Sequence, residues 1–246
     1  MKNNYTVHKY NPANYDFYKP ILHHLKSIPK FKDINFIEDI SKNFSPLDYF
    51  DIEKAIYKYI KTDEFLNLYQ KFNYEVVTPI CSKKFKVQNI PAVRVSLPGK
   101  RSVNFHNDCW YGHGKNIENF WIPLTNVRGN QALAFLDKIE NKKAIDYFIL
   151  NDLSLIEIQK YCEKKAKLVE LNYGEFLHFP TSAIHGTFTN NTKDIRISFD
   201  FRICHDEDRG FKSHDFFLDI DQLICSKDKS LNKSNLKKTA ISYVSQ

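Results

Sequence analysis

A histidine and an aspartate separated by one residue, His106 and Asp108, form the first pair in this chain with metal-binding chemistry. Residues two apart in an extended segment project from the same face, so this imidazole and carboxylate could bind one ion. A third donor is His185, which Gly186 follows. Two imidazoles and one carboxylate occupy one face of a metal such as iron(II) and leave other positions open for chemistry. These three residues are the predicted metal ligands and catalytic residues.

The segment Ile195–Ile203 alternates apolar and polar side chains, as a β-strand does. An ordinary half-buried strand with its polar side in water would show the same alternation, so the pattern alone leaves that alternative open. The turn-rich residues 189–194 predict a hairpin in which Arg196 lies opposite His185, on the same face. A guanidinium placed there could bind a carboxylate through two parallel hydrogen bonds.

The elements that must position these residues fall into two regions. In the first, Ser45-Pro46 predicts the start of a helix with an apolar stripe, and Thr62 predicts the start of a second helix. From about Tyr74 the pattern changes to short β-rich runs. Nine strands are predicted, at 75–80, 92–97, 103–108, 119–124, 132–136, 167–171, 175–179, 184–187 and 195–203.

One helix, with Ser154 and Glu157 as a capping box, interrupts the predicted strands. Many short strands at modest spacing are typical of a sandwich or barrel. We therefore predict a mainly β chain with added helices, specifically a double-stranded β-helix (jelly roll) with an N-terminal helical region. The prediction is a single domain over 1–246, with a helical region 1–73, a jelly-roll core 74–205 and a C-terminal extension 206–246.

The composition excludes several classes of protein. A hydrophobic fraction of 42% indicates a packed globular chain and excludes a disordered one. No apolar stretch has the length of a membrane span, no signal peptide begins the chain, and the five cysteines show no paired spacing, so we expect a cytoplasmic protein without membrane partners. The net charge of +7 comes from scattered lysines without a nucleic-acid motif. It favours an anionic small-molecule substrate and no nucleic-acid partner.

Several short motifs carry a family resemblance. They are His106-Asn107-Asp108, Tyr111-Gly112-His113, Glu118–Thr125, Gly174-Glu175, His185-Gly186 and Arg196–Arg202. Their order and spacing resemble those of iron(II)- and 2-oxoglutarate-dependent oxygenases of the double-stranded β-helix fold. The closer resemblance is to oxygenases found in bacterial carbohydrate and streptomycin biosynthesis clusters. It extends roughly from Val93 to Ile203 and includes neither end of the chain.

The resemblance implies an oxygenase that uses Fe(II), 2-oxoglutarate and O2, in which His106, Asp108 and His185 hold the iron. It implies that Arg196 and Ser198 bind 2-oxoglutarate, and we add Asn119 to that set. The substrate would be a sugar, a nucleotide sugar or a related polar metabolite of surface-polysaccharide or natural-product biosynthesis, usually hydroxylated. Candidate substrate-binding residues are Arg94, Tyr111, His113, Trp121 and Arg202. Arg94 could equally form a surface ion pair.

Two other functions remain open. One is a metal-dependent, cupin-like enzyme that does not use 2-oxoglutarate, and the pair Arg196 and Ser198 argues against it. The other is non-catalytic, either a jelly-roll module that binds carbohydrate or a degenerate oxygenase. The presence of all three metal donors together with Arg196 argues against that second alternative.

Overall fold

The computed structural model describes residues 3–43, 45–81, 84–151, 154–205, 210 and 216–219. Its N-terminal part contains one strand and four helices. They are β1 (Thr6–Lys9), α1 (Tyr18–Leu25), α2 (Ile40–Asn43), α3 (Tyr49–Tyr59) and α4 (Asp63–Phe72). Both predicted helices are confirmed, with a 3₁₀ turn that follows Ser45 and leads into α3, and with the Thr62 side chain accepting a hydrogen bond from the Phe65 backbone nitrogen. No helix among the described residues is long and apolar enough to span a membrane.

The rest of the described chain is mainly β. Its strands are β2 (Lys86–Gln88), β3 (Ala92–Ser96), β4 (Ile117–Pro123), β5 (Leu133–Phe135), β6 (Lys167–Val169), β7 (Glu175–Pro180), β8 (His185–Gly186), β9 (Arg196–Cys204) and β10 (Phe217–Asp219). Two helices, α5 (Lys138–Asn151) and α6 (Leu155–Lys165), lie between β5 and β6. The prediction of a mainly β chain with added helices is confirmed.

The strands form two antiparallel sheets. The larger has seven strands in the order β1-β7-β4-β9-β2-β10, with β3 also paired to β9. The smaller has three strands in the order β6-β5-β8. An isolated bridge between His106 and His185 joins the segment before β4 to β8. The two histidine candidates therefore lie at the smaller sheet, while Arg196 belongs to the larger one.

Strand β9 is covered on both faces. Its apolar side packs on the N-terminal helices: the Phe199 ring lies 5.4 Å from that of Phe65, and the Phe201 ring lies 5.3 Å from that of Tyr69. Its polar side is also buried, with Arg196 only 1% exposed and Ser198 fully buried. The alternative of a strand whose polar side lies in water is thus excluded, because that side faces the interior.

Three predicted elements differ from the structure. The predicted strand 75–80 is instead helical, since the chain continues from α4 into a π-helical turn, Asn73–Val77. There the buried Asn73 donates to the Tyr69 carbonyl and Val77 enters the core, so helical packing overrides the strand preference of the valines. The predicted strand 103–108 is reduced to the bridge at His106. Two helices, rather than one, interrupt the strands, because α5 was missed.

Candidate metal centre

His106 and His185 lie opposite each other on two antiparallel backbone segments. Each backbone nitrogen donates to the carbonyl oxygen of the other residue over 2.9 Å, and the ring centroids are 4.5 Å apart. Gly186 permits this close approach of the two segments, because a Cβ at that position would lie 2.8 Å from the Cα of Phe105. The backbone itself therefore sets the distance between the two imidazoles.

The remaining ring nitrogen of each histidine is fixed by a backbone carbonyl. Nδ1 of His106 donates to the oxygen of Asn104 over 2.7 Å, and Nδ1 of His185 donates to the oxygen of Ala183 over 3.0 Å. A carbonyl oxygen can only accept, so each Nδ1 carries a proton and Nε2 is the ring nitrogen left for a metal. Burial, followed by the charge of His106, lowers the pKa of His185 to about 4. His185 is thus neutral at physiological pH, the state in which imidazole binds a metal.

Asp108 begins a 3₁₀ turn, Asp108–Tyr111, that Asn107 caps by accepting from the Trp110 nitrogen over 3.1 Å. Its Oδ1 lies 3.2 Å from Nε2 of His106, and its Oδ2 accepts from Arg202 over 3.1 Å. Burial by itself would raise the pKa of Asp108. The charge of Arg202 and the hydrogen bond from His106 outweigh it and hold that pKa well below its usual range.

The three predicted ligands come together in one buried group. One donor atom from each of His106, Asp108 and His185 lies within 4.8 Å of the others, and within the part of the chain that is described no second group of this kind occurs. Two imidazoles and one carboxylate are a donor set that fits a divalent metal of the iron(II) type. His106 and Asp108 were paired on the expectation of an extended segment, but Asp108 reaches the group from a 3₁₀ turn.

A cavity of about 270 Å³ opens beside this group. Most of the predicted site residues line it, namely Arg94, His106, Asp108, Tyr111, His113, Asn119, Trp121, His185, Arg196 and Arg202. Ser198 is fully buried on the same side of β9 as Arg196. Sequence analysis missed two further polar lining residues, Ser102 and Asp200. Asp200 shares the polar side of the predicted strand, a signal that could have identified it.

Arg196 is a buried cation at the cavity wall. Its Nη1 donates to the Gln131 carbonyl over 3.2 Å, its Nη2 donates to Ser102 over 3.4 Å, and its guanidinium carbon lies 5.3 Å from the Trp121 ring centroid. Burial, and then the charge of Arg94, lower the pKa of Arg196 to about 10, which still leaves it charged at neutral pH. Among the described residues, no carboxylate lies within ion-pair distance of it.

The predicted hairpin between His185 and Arg196 is wrong. His185 pairs with Phe135 in the smaller sheet, whereas Arg196 pairs with Ser96 in the larger one. The turn-rich residues 189–194 carry the chain from one sheet to the other instead of folding it back on itself. His185 and Arg196 nevertheless line the same cavity, His185 from the smaller sheet and Arg196 from the larger one.

Several buried polar atoms around Arg196 have no hydrogen-bond partner among the described residues. They are Nε of Arg196, Oγ of Ser198, Oγ of Ser96 and Nδ2 of Asn119. Buried polar atoms are normally paired, so this set indicates that a polar ligand or water completes the cavity wall. Ser96 was missed, although it alternates with Arg94 in the predicted strand 92–97. The four atoms fit a carboxylate-bearing ligand at Arg196.

The other predicted cations belong to a row of ion pairs. Nε of Arg94 lies 3.4 Å from Oδ1 of Asp200, and Nη2 of Arg202 lies 3.7 Å from Oδ2 of the same aspartate. Arg202 also contacts Asp108, so it is tied to a candidate ligand. Arg94 forms the ion pair considered for it and also lines the cavity, with its side chain 51% exposed; its role in substrate binding stays a prediction. Tyr111, at 63% exposure, lies with its ring 5.1 Å from that of His106.

Comparison with known proteins yields relatives but no matching family model. The chain is 29% identical over 118 residues to the streptomycin biosynthesis protein StrG of Streptomyces griseus, a match that covers 47% of this chain and 45% of that protein. The match thus spans less than half of StrG.

Two solved structures extend the comparison. One is the non-haem monooxygenase ThoJ in its apo form, with 10% identity over 98% of this chain and 97% of that one and a TM-score of 0.50. The other is HygX of Streptomyces hygroscopicus with nickel and 2-oxoglutarate bound, with 10% identity over 89% and 92% and a TM-score of 0.48. The predicted resemblance is confirmed to this extent: the sequence is similar to that of a streptomycin biosynthesis protein, and the fold is similar to that of a non-haem monooxygenase.

Proposed function

We propose that this chain is an Fe(II)- and 2-oxoglutarate-dependent oxygenase with a double-stranded β-helix fold. The observation that carries the proposal is the buried cation of Arg196, which has no ion-pair partner among the described residues and lines the same cavity as His106, Asp108 and His185. A metal group alone would fit many enzymes. A guanidinium held in the interior without a carboxylate among the described residues needs a bound anion, and a dicarboxylate that also reaches the metal meets that need.

In this proposal, iron is held by Nε2 of His106, a carboxylate oxygen of Asp108 and Nε2 of His185. When bound, iron(II) together with 2-oxoglutarate and O2 supplies the oxidising power to attack an unactivated C–H bond. The chain supplies the geometry: the Nδ1–H bonds to Asn104 and Ala183 keep both Nε2 atoms directed at one point.

In this proposal, 2-oxoglutarate binds against the cavity wall around Arg196. We infer that its Nε donates to the far carboxylate, helped by the unpaired hydroxyl of Ser198, with Asn119 lining the wall nearer the metal. Trp121 covers the guanidinium face. A ring in that position excludes water and strengthens the charge-assisted contact.

The substrate end lies at the mouth of the cavity, where Tyr111 and Arg94 are partly exposed. With His113, Trp121 and Arg202, they present aromatic and cationic groups, which suit a polar or anionic substrate. The similarity to the streptomycin biosynthesis protein StrG favours a sugar, a nucleotide sugar or a related metabolite. Hydroxylation is the proposed outcome.

Succinate release tests this function. The iron-loaded protein should release succinate from 2-oxoglutarate in air, faster when the correct member of a panel of sugars and nucleotide sugars is present. Metal-dependent conversion of a panel member without succinate would instead support the cupin-like alternative. Sugar binding with neither conversion nor 2-oxoglutarate binding would support the carbohydrate-binding module.

A further inference from the structure

Helices α5 and α6 each send one carboxamide side chain to the backbone next to a candidate metal ligand. The two helices are inserted between β5 and β6 and do not themselves supply a metal donor. In both cases the carboxamide forms hydrogen bonds with the backbone of the residue that precedes a histidine ligand candidate.

Gln159 of α6 holds the residue before His106. The Phe105 backbone nitrogen donates to Oε1 of Gln159 over 2.7 Å, and Nε2 of Gln159 donates to the Phe105 carbonyl over 2.7 Å. Both backbone polar groups of Phe105 are therefore bound by one side chain. An ion pair between Arg101 and Glu163 fixes the same segment to α6 a second time.

Asn141 of α5 holds the residue before His185. The Ile184 backbone nitrogen donates to Oδ1 of Asn141 over 2.6 Å, and Nδ2 of Asn141 donates to the Ser182 carbonyl over 3.3 Å. Asn141 is only 9% exposed, so these bonds lie away from competing water.

The two helices are also bound to each other. The Tyr161 hydroxyl of α6 donates to Glu140 of α5 over 2.8 Å, and Nζ of Lys165 lies 3.5 Å from the same carboxylate. Ala144 and Ile158 belong to the buried cluster that also contains Phe105 and Ile184. The helix pair and both ligand segments thus share one packed unit.

Carboxamide bonds to buried backbone are common and often only satisfy polar groups. Here the same arrangement occurs twice, and each time immediately before a candidate ligand. In both cases the histidine Nδ1 binds the carbonyl two residues back, and a helix carboxamide binds the backbone of the intervening residue. Together these bonds fix the backbone that orients each imidazole.

We propose that Asn141 and Gln159 are positioning residues of the metal centre, acting through Ile184 and Phe105 on His185 and His106. They fix where the two Nε2 atoms converge and touch neither metal nor substrate. This inference rests on the proposed function only in taking His106 and His185 as metal ligands.

The test compares metal binding by the full chain and two near-isosteric variants, Asn141→Leu and Gln159→Met. The matched control is Asn73→Leu, which removes a fully buried carboxamide that donates to the Tyr69 carbonyl in the helical layer. Cobalt(II) is titrated into each metal-free protein and followed by its visible absorption, and thermal unfolding without metal measures stability. Both site variants should bind cobalt about 10-fold more weakly with a changed absorption band, in the manner of outer-shell substitutions. The control should lose stability but keep the wild-type affinity and band.

Two milder variants test the same positions in case the apolar variants do not fold. Asn141→Gln and Gln159→Asn keep the carboxamide's donor and acceptor and change the side chain only by one methylene, so their affinities should lie between those of the wild type and the apolar variants. Wild-type affinity and spectrum in every folded variant would overturn the inference while leaving the metal site of the proposed function intact. A wild-type chain that binds no cobalt would overturn both.

Discussion

His106 and His185 exchange both of their backbone hydrogen bonds, each over 2.9 Å, although they lie in distant parts of the chain. This pairing places their imidazoles 4.5 Å apart, centroid to centroid, before any metal is bound. The separation of the two nitrogen donors is therefore a property of the backbone, and a change that moves the backbone should move the donors with it.

Gly186→Ala should weaken metal binding through this backbone pairing. The added Cβ would lie 2.8 Å from the Cα of Phe105, which forces the two segments apart. Overpacking of this kind costs about 1–3 kcal/mol of unfolding free energy. We expect lower thermal stability and about tenfold weaker cobalt binding, by analogy with changes around a metal's ligands.

Gly99→Ala is the matched control for that variant. Gly99 has a positive φ of 73° but no atom within 4 Å of the position of an added Cβ. It should therefore lose stability through backbone strain without losing metal affinity. Equal cobalt affinities for wild type and Gly186→Ala would contradict the claim that the backbone pairing of His106 and His185 sets the position of the metal ligands.

Arg202→Met should destabilise the metal-free protein by about 3–5 kcal/mol, because it leaves Asp108 buried without its cation. The Arg202 side chain is only 11% exposed and its Nη2 lies 3.1 Å from Oδ2 of Asp108, so solvent cannot replace the pair. Denaturant unfolding of Arg202→Met, Asp108→Asn and the double variant measures the coupling. The double variant should lose less free energy than the sum of the two single variants. Simple additivity would argue against a stabilising contact between them.

Arg196→Ala should lower the affinity for 2-oxoglutarate by roughly one to three orders of magnitude. Leaving a buried carboxylate unpaired costs about 2–5 kcal/mol, and each 1.4 kcal/mol is about tenfold in affinity. Arg196→Lys should recover only part of the loss, since an ammonium cannot reproduce the planar fork. The measurement is a titration of 2-oxoglutarate into the anaerobic iron(II) protein, followed by the charge-transfer band that chelation produces.

Arg94→Ala is the control for that titration. Arg94 lines the same cavity but pairs with Asp200, so its removal should leave 2-oxoglutarate affinity nearly unchanged. Iron binding should survive in Arg196→Ala, Arg196→Lys and Arg94→Ala. If Arg94→Ala weakened 2-oxoglutarate binding and Arg196→Ala did not, Arg94 rather than Arg196 would bind the co-substrate carboxylate.

The sequence was informative where local chemistry determines structure. Thr62 and Ser154 cap helices as predicted, because a side-chain oxygen there accepts from a free backbone nitrogen within the same short segment. The alternation in β9 placed Arg196 and Ser198 on one side, since strand geometry alone determines that. The histidines and Asp108 were found because their residue types carry the chemistry.

Longer-range pairing could not be predicted in the same way. Whether residues 189–194 close a hairpin or connect two sheets depends on partners in β3, β4 and β5, which no local pattern specifies. The roles of Asn141 and Gln159 are hidden for the same reason, because a carboxamide on a helix has no signature until its backbone partner is known. The missed helix α5 did carry a local signal: Asp137 accepts from the Ile139 and Glu140 nitrogens.

The central claim is that His106, Asp108 and His185 together bind one divalent metal. Anaerobic titration of iron(II) into the metal-free chain, followed by calorimetry, tests it most directly against two carboxylate variants of the same cavity, Asp108→Ala and Asp200→Ala. Circular dichroism confirms that each variant is folded. We expect one iron per chain in the wild type and in Asp200→Ala, and no stoichiometric binding in Asp108→Ala. Stoichiometric iron binding by folded Asp108→Ala would contradict the assignment of this metal centre.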